Sequence, residues 1–300
     1  MKKLNKYIVL LLLNYFAWQN LWSQNVTLHV VTQTTQKEWT WQANKSLVIN
    51  GENAQITVEA WDKNTIQATI DLIAKHPQKE MATRDVAAQK AILKENNNSF
   101  LLGNQLVLEK GMKKPVSNLK ASYTVYAPKN CALQIKNKFG KIKVVGIKNT
   151  VTVNSQFTKL DLTEVKGKVK LTSNFGDISG KKLEGQVHID ANRSDIQLVE
   201  PLGDFTIKAK YGLVTILENS DRRFDLTVKG DKANVLFVDP VLLAHNFRLT
   251  TEFGDIKVPP QTDFKFTEHS GQGKAAVLKS NRNASQISVD LSYGDITIQK

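Results

Sequence analysis

Apolar and polar residues alternate with a fixed long period through the second half of the chain. A four-residue phrase, which ends on an aliphatic residue, recurs every eighteen residues from Phe139 to Tyr211 and then every twenty-one residues as far as Phe253. The copies are Phe139-Gly140-Lys141-Ile142, Phe157-Thr158-Lys159-Leu160, Phe175-Gly176-Asp177-Ile178, Arg193-Ser194-Asp195-Ile196, Tyr211-Gly212-Leu213-Val214, Lys232-Ala233-Asn234-Val235, Phe253-Gly254-Asp255-Ile256, a degraded Lys274-Ala275-Ala276-Val277 and Tyr293-Gly294-Asp295-Ile296. This period predicts one structural unit that is copied along the chain.

A second set of apolar residues lies half a repeat away from the phrase and keeps the same spacing. Its members come in pairs with one residue between them, so both side chains of a pair point to the same side of an extended strand. Each repeat is therefore predicted to hold two short strands. The pairs are Leu133/Ile135, Val151/Val153, Val169/Leu171, Val187/Ile189, Phe205/Ile207, Leu226/Val228 and Phe247/Leu249.

Two architectures fit two strands per repeat: a parallel β-helix, or β-solenoid, and an antiparallel meander of hairpins. The step changes from eighteen to twenty-one residues in both apolar sets together, which favours a coil that has grown by about three residues. We therefore predict an all-β protein whose solenoid has about 18 to 21 residues per coil. The aliphatic residues Ile142, Leu160, Ile178 and Ile196 should stack along one interior line.

The region before the repeats is also rich in alternating apolar residues, but it lacks the period. We predict that residues 25–130 form a β-rich cap and that residues 131–300 form the solenoid, with the boundary between 127 and 132. One helix is predicted within the cap, from Pro77 to about Lys94, because Pro suits the first helical turn and Asn96 to Asn98 would end it.

Residues 1–24 have a basic start and an apolar run that is too short to span a bilayer, which predicts a secretory signal peptide. The expected location is the periplasm, the outer-membrane surface or the extracellular medium. No later stretch has the length and apolarity of a membrane helix. The single cysteine, Cys131, excludes a disulfide within the chain, and we expect it on the inner side of a strand.

The chain has a formal net charge of +13, or +10 without the three lysines of the predicted signal peptide. A basic exported protein is suited to anionic partners such as acidic polysaccharide or lipid headgroups, whereas no nucleic-acid motif is present. A lysine cluster in the first coil is the tentative binding surface. Alternatively, these lysines only keep exposed strands soluble and unpaired. The cluster is Lys136, Lys138, Lys141, Lys143 and Lys148.

The Gly-Asp-Ile form of the phrase, together with Tyr123 to Lys129, resembles the bacterial putative-adhesin domains of unknown function, which are similar to the head domain of putative autotransporter adhesins. The resemblance covers roughly residues 45–300. It implies a β-helical solenoid and supplies no catalytic or binding residues.

Glycine and aspartate at this period also invite comparison with calcium-binding β-rolls. Those need acidic ligands on both sides of each coil, and here the position of Asp177 holds lysine or leucine in other copies. We therefore expect the aspartates to bond local backbone N–H groups. The five histidines show no zinc-type spacing, so no metal, cofactor or catalytic residue is predicted.

The aromatic residues that open the phrase would form a stacked ladder. They would offer a sugar-binding stripe if exposed, and they would pack the corners of the coils if buried; we favour the buried arrangement. The predicted function is that of an exported, non-enzymatic, adhesin-like scaffold or contact protein. The alternative is a carbohydrate-active β-helix enzyme, for which Asp177 and Asp195 are the nearest carboxylate pair. The sequence leaves the oligomeric state open.

Overall fold

The structure, a computed structural model, describes residues 27–111, 113–218, 223–281 and 283–300. The predicted signal peptide lies outside the described residues. Those residues form twenty β-strands and one α-helix, which confirms the all-β class with a single helix. Among them, no helix is long and apolar enough to cross a membrane.

The N-terminal part contains six strands and the helix. Its elements are β1 (His29–Thr40), β2 (Ser46–Trp61), β3 (Thr65–His76), α1 (Lys79–Ala87), β4 (Gln89–Glu95), β5 (Ser99–Leu106) and β6 (Asn118–Pro128).

The predicted helix is too long at both ends. It begins at Lys79 and ends at Ala87, and the residues that follow form β4, which pairs antiparallel with β5. In β4, Ala91 and Leu93 alternate toward the core, as strand residues do. Pairing with the next strand, across the turn at Asn96 to Asn98, therefore overrides the local helix preference of this segment.

The strands of the repeats pair in parallel and in register. They are β7 (Leu133–Val145), β8 (Val151–Thr163), β9 (Lys166–Asn174), β10 (Ile178–Lys181), β11 (Glu184–Asn192), β12 (Ile196–Val199), β13 (Leu202–Leu217) and β14 (Phe224–Val238).

The predicted interior line is confirmed. Leu160 lies between Ile142 and Ile178, Ile178 pairs with Ile196, and all four side chains are buried. The antiparallel meander is therefore wrong for this segment. Residues at i and i+2 share a side of each strand, so the apolar pairs of successive repeats meet in one core.

The core continues into the N-terminal part. β2 pairs in parallel with β7, and its residues Leu47 and Ile56 stand opposite Leu133 and Ile142. On its other side, β2 pairs in parallel with β5 and β6. One buried apolar cluster runs from Trp39 to Ile298. The boundary between residues 127 and 132 stays a prediction.

The C-terminal part departs from the order of the chain. Its strands are β15 (His245–Glu252), β16 (Ile256–Lys257), β17 (Lys265–His269), β18 (Gly273–Leu278), β19 (Ser285–Ser292) and β20 (Ile296–Gln299). The last two strands lie between β14 on one side and β15 with β16 on the other, and all of these pairings are parallel.

The degraded copy of the phrase at Lys274 to Val277 is not a parallel coil. It lies in β18, which pairs antiparallel with β15 and with β17. Pro259 and Pro260 come shortly after β16 and have no backbone N–H to donate. The chain therefore leaves the parallel stack at this point and returns as a hairpin.

Candidate functional site

In every copy of the phrase except the degraded one, the first residue forms a sharp corner between two strand segments. Eight of these residues have φ between 51° and 63°, the left-handed region that side chains other than glycine rarely adopt. Register places them one above another along one edge of the stack. We call this column the aromatic ridge; in spatial order its members are Phe139, Phe157, Phe175, Arg193, Tyr211, Lys232, Tyr293 and Phe253.

The aromatic members stack on one another at the spacing of the strands. The ring centroids of Phe139 and Phe157 are 5.1 Å apart, and those of Phe157 and Phe175 are 4.9 Å apart. Tyr293 and Phe253 form the same arrangement at 4.8 Å. The planes within each pair differ by 13° or less. The faces of these rings are therefore turned toward their neighbours in the column.

The two cationic members fill the gaps between the rings. The Arg193 guanidinium carbon lies 5.3 Å from the Phe175 ring centroid and 5.2 Å from that of Tyr211. The Lys232 ammonium lies 5.4 Å from the Tyr211 ring and 5.9 Å from the Tyr293 ring. All four contacts are within the range of a cation–π interaction. These two residues, which depart from the phrase in sequence, are thus full members of the column.

The ridge is exposed, so the prediction that these aromatic residues pack inside the corners is wrong. Their exposed fractions run from 37% for Tyr211 to 54% for Tyr293. The physical reason is the left-handed turn, which interrupts the inward and outward alternation of the strand. In the first repeat, Asn137 points inward, while both Lys138 and Phe139 remain exposed.

Buried polar side chains support the corner from inside. The Asn137 amide donates to the backbone oxygen of Ala54 at 3.0 Å, and the Ser173 hydroxyl donates to that of Gly176 at 2.6 Å. Thr251 donates in the same way to the Gly294 oxygen at 2.6 Å. These bonds satisfy backbone groups that the turn removes from the strand ladder.

The aspartates beside the ridge bond mainly to the neighbouring repeat, which corrects the predicted local role. The backbone N–H of Asp195 donates to Asp177 Oδ1 at 3.1 Å, and that of Leu213 donates to Asp195 Oδ1 at 2.8 Å. Asp295 Oδ1 accepts the N–H of Asp255 at 2.8 Å. The Asp255 carboxylate differs, since it accepts the local N–H of Ile256 and pairs with Lys274 at 2.8 Å. Asp177, Asp195 and Asp295 therefore fasten one repeat to the next.

The five lysines of the predicted cluster are all exposed. Lys136 and Lys138 precede the corner, Lys141 and Lys143 follow it, and Lys148 lies beyond the next turn. Lys141 pairs with Asp161 at 2.7 Å, and Lys143 pairs with Glu59 at 3.2 Å.

Only part of the lysine cluster belongs to the ridge. Lys138 lies 5.4 Å from the Phe139 ring centroid. Lys141 follows the same corner, and exposed Lys159, which the sequence analysis did not single out, is its register partner in the next repeat. The sequence could have indicated Lys159, Arg193 and Lys232 as ridge residues, because each occupies a position within a copy of the phrase.

Other reactive groups offer no assembled site in the described part of the chain. No group of three or more His, Cys, Asp and Glu residues there could hold a metal ion. Cys131 is buried, and desolvation raises the pKa of its thiol to about 11. His245 is buried and bonds through Nε2 to Glu218 Oε1 at 2.7 Å, while Glu218 Oε2 accepts the N–H of Val241.

An open cleft of about 840 Å³ lies beside β15 and β18. Arg248, Lys279 and Glu268 contribute charged side chains to its lining. Glu268 is the one carboxylate among the described residues that line it. The cleft thus differs from a glycosidase site, which uses two carboxylates.

Several solved structures are similar to this chain at low identity. A putative adhesin from Bacteroides fragilis NCTC 9343 is 12% identical, with 89% of this chain and 97% of that chain covered and a TM-score of 0.34. A putative adhesin from Parabacteroides distasonis ATCC 8503 is 11% identical, with the same coverage and TM-score. A putative lipid binding protein from the same strain is 8% identical, with the same coverage and a TM-score of 0.29.

These likenesses do not transfer a ligand or an activity to this chain. None of the curated proteins matches the chain. The family comparison is more definite, because the model described as Toastrack DUF4097 matches residues 44–299. The match covers nearly all of the described structure and confirms the resemblance to domains of unknown function that was seen in the phrase. The chain therefore belongs to the Toastrack DUF4097 family.

Proposed function

We propose that this protein is an exported, non-enzymatic contact protein of the cell envelope that binds anionic lipid surfaces through the aromatic ridge. The observation that carries the proposal is the exposed column of stacked aromatic and cationic side chains. The parallel repeats act as the scaffold that holds it.

We propose that this scaffold is a β-solenoid. Paired strands are offset by eighteen residues from β7 to β13 and by twenty-one between β13 and β14, which is the offset of one coil on the next. Each coil contributes one member to the ridge. With strands about 4.8 Å apart, eight members make a column roughly 35 Å long.

The geometry of the rings favours a lipid surface over a glycan. A sugar stacks on the open face of an aromatic ring, but within the ridge neighbouring side chains cover the faces. The exposed parts are mainly ring edges, which stand at a corner and not in a groove. A protruding apolar edge suits insertion at the boundary between headgroups and acyl chains.

The charges beside the phenylalanines favour an anionic surface. Lys138, Lys141 and Lys159 are exposed beside Phe139 and Phe157. Within the described residues, Lys138 and Lys159 form no ion pair, and Lys141 pairs with Asp161. A lysine near an anionic membrane contributes about 1 kcal/mol of binding. The three lysines together therefore account for about 3 kcal/mol, or roughly a hundredfold in affinity.

The test is co-sedimentation of the mature protein with vesicles of phosphatidylglycerol and phosphatidylcholine, against vesicles of phosphatidylcholine alone. We expect binding to the anionic vesicles that weakens steeply with salt, because exposed charges are screened within about 8 Å at physiological ionic strength. Replacing Lys138, Lys141 and Lys159 with Gln should weaken binding by about a hundredfold. The matched control replaces Lys94, Lys168 and Lys170, which are exposed but lie away from the corner.

A second variant tests the apolar part of the ridge. Phe139, Phe157 and Phe175 are replaced together with Asn, because Asn53 stands at the same corner with φ of 50°. The turns should survive while vesicle binding falls. The proposal fails if the anionic vesicles are not bound, or if both lysine triples weaken binding equally.

The alternative function, that of a carbohydrate-active enzyme, is tested on the same preparation of the purified protein. Incubation with acidic and neutral polysaccharides should give no turnover. Turnover that persists through purification would favour a carbohydrate-active protein. Binding to an acidic polysaccharide without binding to anionic vesicles would move the contact from lipid to glycan.

A further inference from the structure

The repeat formed by β19 and β20 lies between two repeats that precede it in the chain. We call it the inserted repeat, residues 285–299. Val289 stands between Val228 and Leu249, and Ile296 stands between Val235 and Ile256. The inserted repeat is therefore paired in parallel along both of its edges.

The two repeats that flank it have the register to pair directly with each other. Leu226 and Phe247 both stand opposite Ile287, and they are twenty-one residues apart. The same offset separates Phe205 from its partner Leu226 in the adjacent direct pairing. Direct pairing of β14 with β15 and β16 would thus keep every apolar residue on the inner side, since side chains alternate with a period of two.

The second position of the phrase gives independent support. Along the chain this position alternates between a residue with a side chain and glycine, and Gly254 follows Ala233 in that alternation. In space Gly294, and not Gly254, lies beside Ala233, so Gly294 and Gly254 become neighbours. In chain order the residues are Ala54, which is the register partner of the first copy, then Gly140, Thr158, Gly176, Ser194, Gly212, Ala233, Gly254 and Gly294; Ala275 of the degraded copy lies in the hairpin and is left out.

Close backbone approach explains why glycine is needed beside Ala233. A Cβ atom added at Gly294 would lie 1.8 Å from the Ala233 oxygen. One added at Gly254 would lie 1.9 Å from the Gly294 oxygen. Either glycine can therefore stand next to Ala233. The slot between β14 and β15 can then be filled by the inserted repeat, or closed by direct pairing of those two strands, without a clash at this corner.

The bonds that hold the inserted repeat come from both flanking repeats. The Gln286 N–H donates to Asp225 Oδ1 at 2.6 Å, and the Asp295 N–H donates to Asn234 Oδ1 at 2.8 Å. On the other edge, Asp295 Oδ1 accepts the N–H of Asp255 at 2.8 Å. An identical repeat from another copy of the chain would make the same bonds.

We infer that the inserted repeat exchanges between copies of this protein, so that residues 285–299 of one copy fill the slot between β14 and β15 of a second copy. Such exchange replaces each contact within the chain by the same contact between chains, which is the condition for domain swapping. The partner is a second copy of the chain. The inference does not depend on the proposed lipid binding.

The test uses full-length chains in which Cys131 is replaced with Ala. Leu236 and Thr297 are direct partners across the edge of the slot, and both side chains are half-buried on the outer side. One tagged chain carries Leu236→Cys and a differently tagged chain carries Thr297→Cys. After mixing and mild oxidation, a disulfide between the two tags should form, because neighbouring strands hold Cα atoms at a distance that a disulfide can bridge.

The matched control uses the same column of outward positions two repeats earlier. Gln197 and Thr215 pair directly, but neither belongs to the inserted repeat. Chains carrying Gln197→Cys and Thr215→Cys should give at least tenfold less mixed disulfide. A single chain carrying both Leu236→Cys and Thr297→Cys should close its own disulfide, which verifies the placement of the inserted repeat.

Three results would overturn the inference. They are equal yields from the exchanging and control pairs, absence of the mixed disulfide when the double variant closes, and failure of the double variant to close. A measurement without new cysteines gives an independent answer. Tagged and untagged wild-type chains should co-purify after incubation. Absence of co-purification would also contradict exchange.

Discussion

Tyr293 stacks on Phe253 with 4.8 Å between ring centroids, although forty residues separate them in the chain. Lys232, which is twenty-one residues before Phe253, lies on the other side of Tyr293 at 5.9 Å from its ring. Position within the phrase, and not order along the chain, therefore decides which side chain joins the ridge. The same spatial order places the inserted repeat, residues 285–299, between two repeats that precede it in the chain.

The first prediction concerns the interior line. Ile178 is 1% exposed between Leu160 and Ile196, so Ile178→Asp would bury a charge without a partner. We expect the free energy of unfolding to fall by several kcal/mol in urea denaturation. Gln197→Asp is the control, since this residue is exposed on the outer side next to Ile196. Equal stability of the two variants would contradict the buried placement of Ile178.

The second prediction separates ring stacking from backbone conformation at the ridge. Phe157 stacks on two rings and has φ of 51°. Phe157→Ala loses both stacks, each of which contributes about 0.5–1.5 kcal/mol. Phe157→Asn loses them too, but asparagine adopts the left-handed conformation more readily.

We therefore expect Phe157→Asn to be more stable than Phe157→Ala by about 1 kcal/mol in urea denaturation. Asn53, which has φ of 50° at the same corner, is the natural precedent for asparagine there. An asparagine variant that is no more stable than the alanine variant would show that the corner does not keep its left-handed turn.

The third prediction concerns close packing in the slot. Gly294→Ala places a Cβ 1.8 Å from the Ala233 oxygen, so the backbone of one repeat must move. Overpacking of this kind costs about 1–3 kcal/mol. Gly271→Ala is the control, because nothing lies within 4 Å of its added Cβ. Thermal denaturation should show a lower midpoint for Gly294→Ala and little change for Gly271→Ala.

The fourth prediction concerns Asp85, a buried carboxylate on α1. Burial alone would raise its pKa, but hydrogen bonds from Ser117, Arg84 and Val116 outweigh burial and lower the pKa to about 2. The folded pKa is thus below the unfolded value of 3.8. The stabilisation is fully present above pH 4 and is lost as the pH falls through about 2.

Asp85→Asn should therefore lower the free energy of unfolding at pH 7 by about 2 kcal/mol. The difference from wild type should shrink as the pH falls toward 2. Urea denaturation at several pH values measures this. Glu80→Gln, on the exposed side of the same helix, is the control. A difference that does not depend on pH would argue against a stabilising ionised Asp85.

The sequence by itself determined the all-β class, the parallel pairing of the repeats and the interior line from Ile142 to Ile196. These features follow from local alternation and from a period that both apolar sets share. Equivalent residues of successive copies favour stacking on one another because they present the same shape and the same inner side. The position of each ridge residue in the phrase was visible for the same reason.

Only the tertiary structure decided that the ridge faces solvent. Alternation predicts an inward or outward side chain for an extended strand, but the left-handed turn at Phe139 breaks that rule. The short length of α1 was also decided by tertiary structure, because β4 forms a hairpin with β5, which in turn pairs with β2 and brings Ala91 and Leu93 against the core. Bonds from Asp177 and Asp195 to the next repeat required a neighbour that local sequence does not specify.

The order of the repeats in space was likewise beyond the sequence. Each copy offers the same register and the same inward apolar residues on both edges, so the period does not say which copy lies beside which. Ala233 accepts a glycine from either Gly254 or Gly294. The choice of Gly294 depends on the total free energy of the stack and its terminal hairpin, and not on any single local pattern.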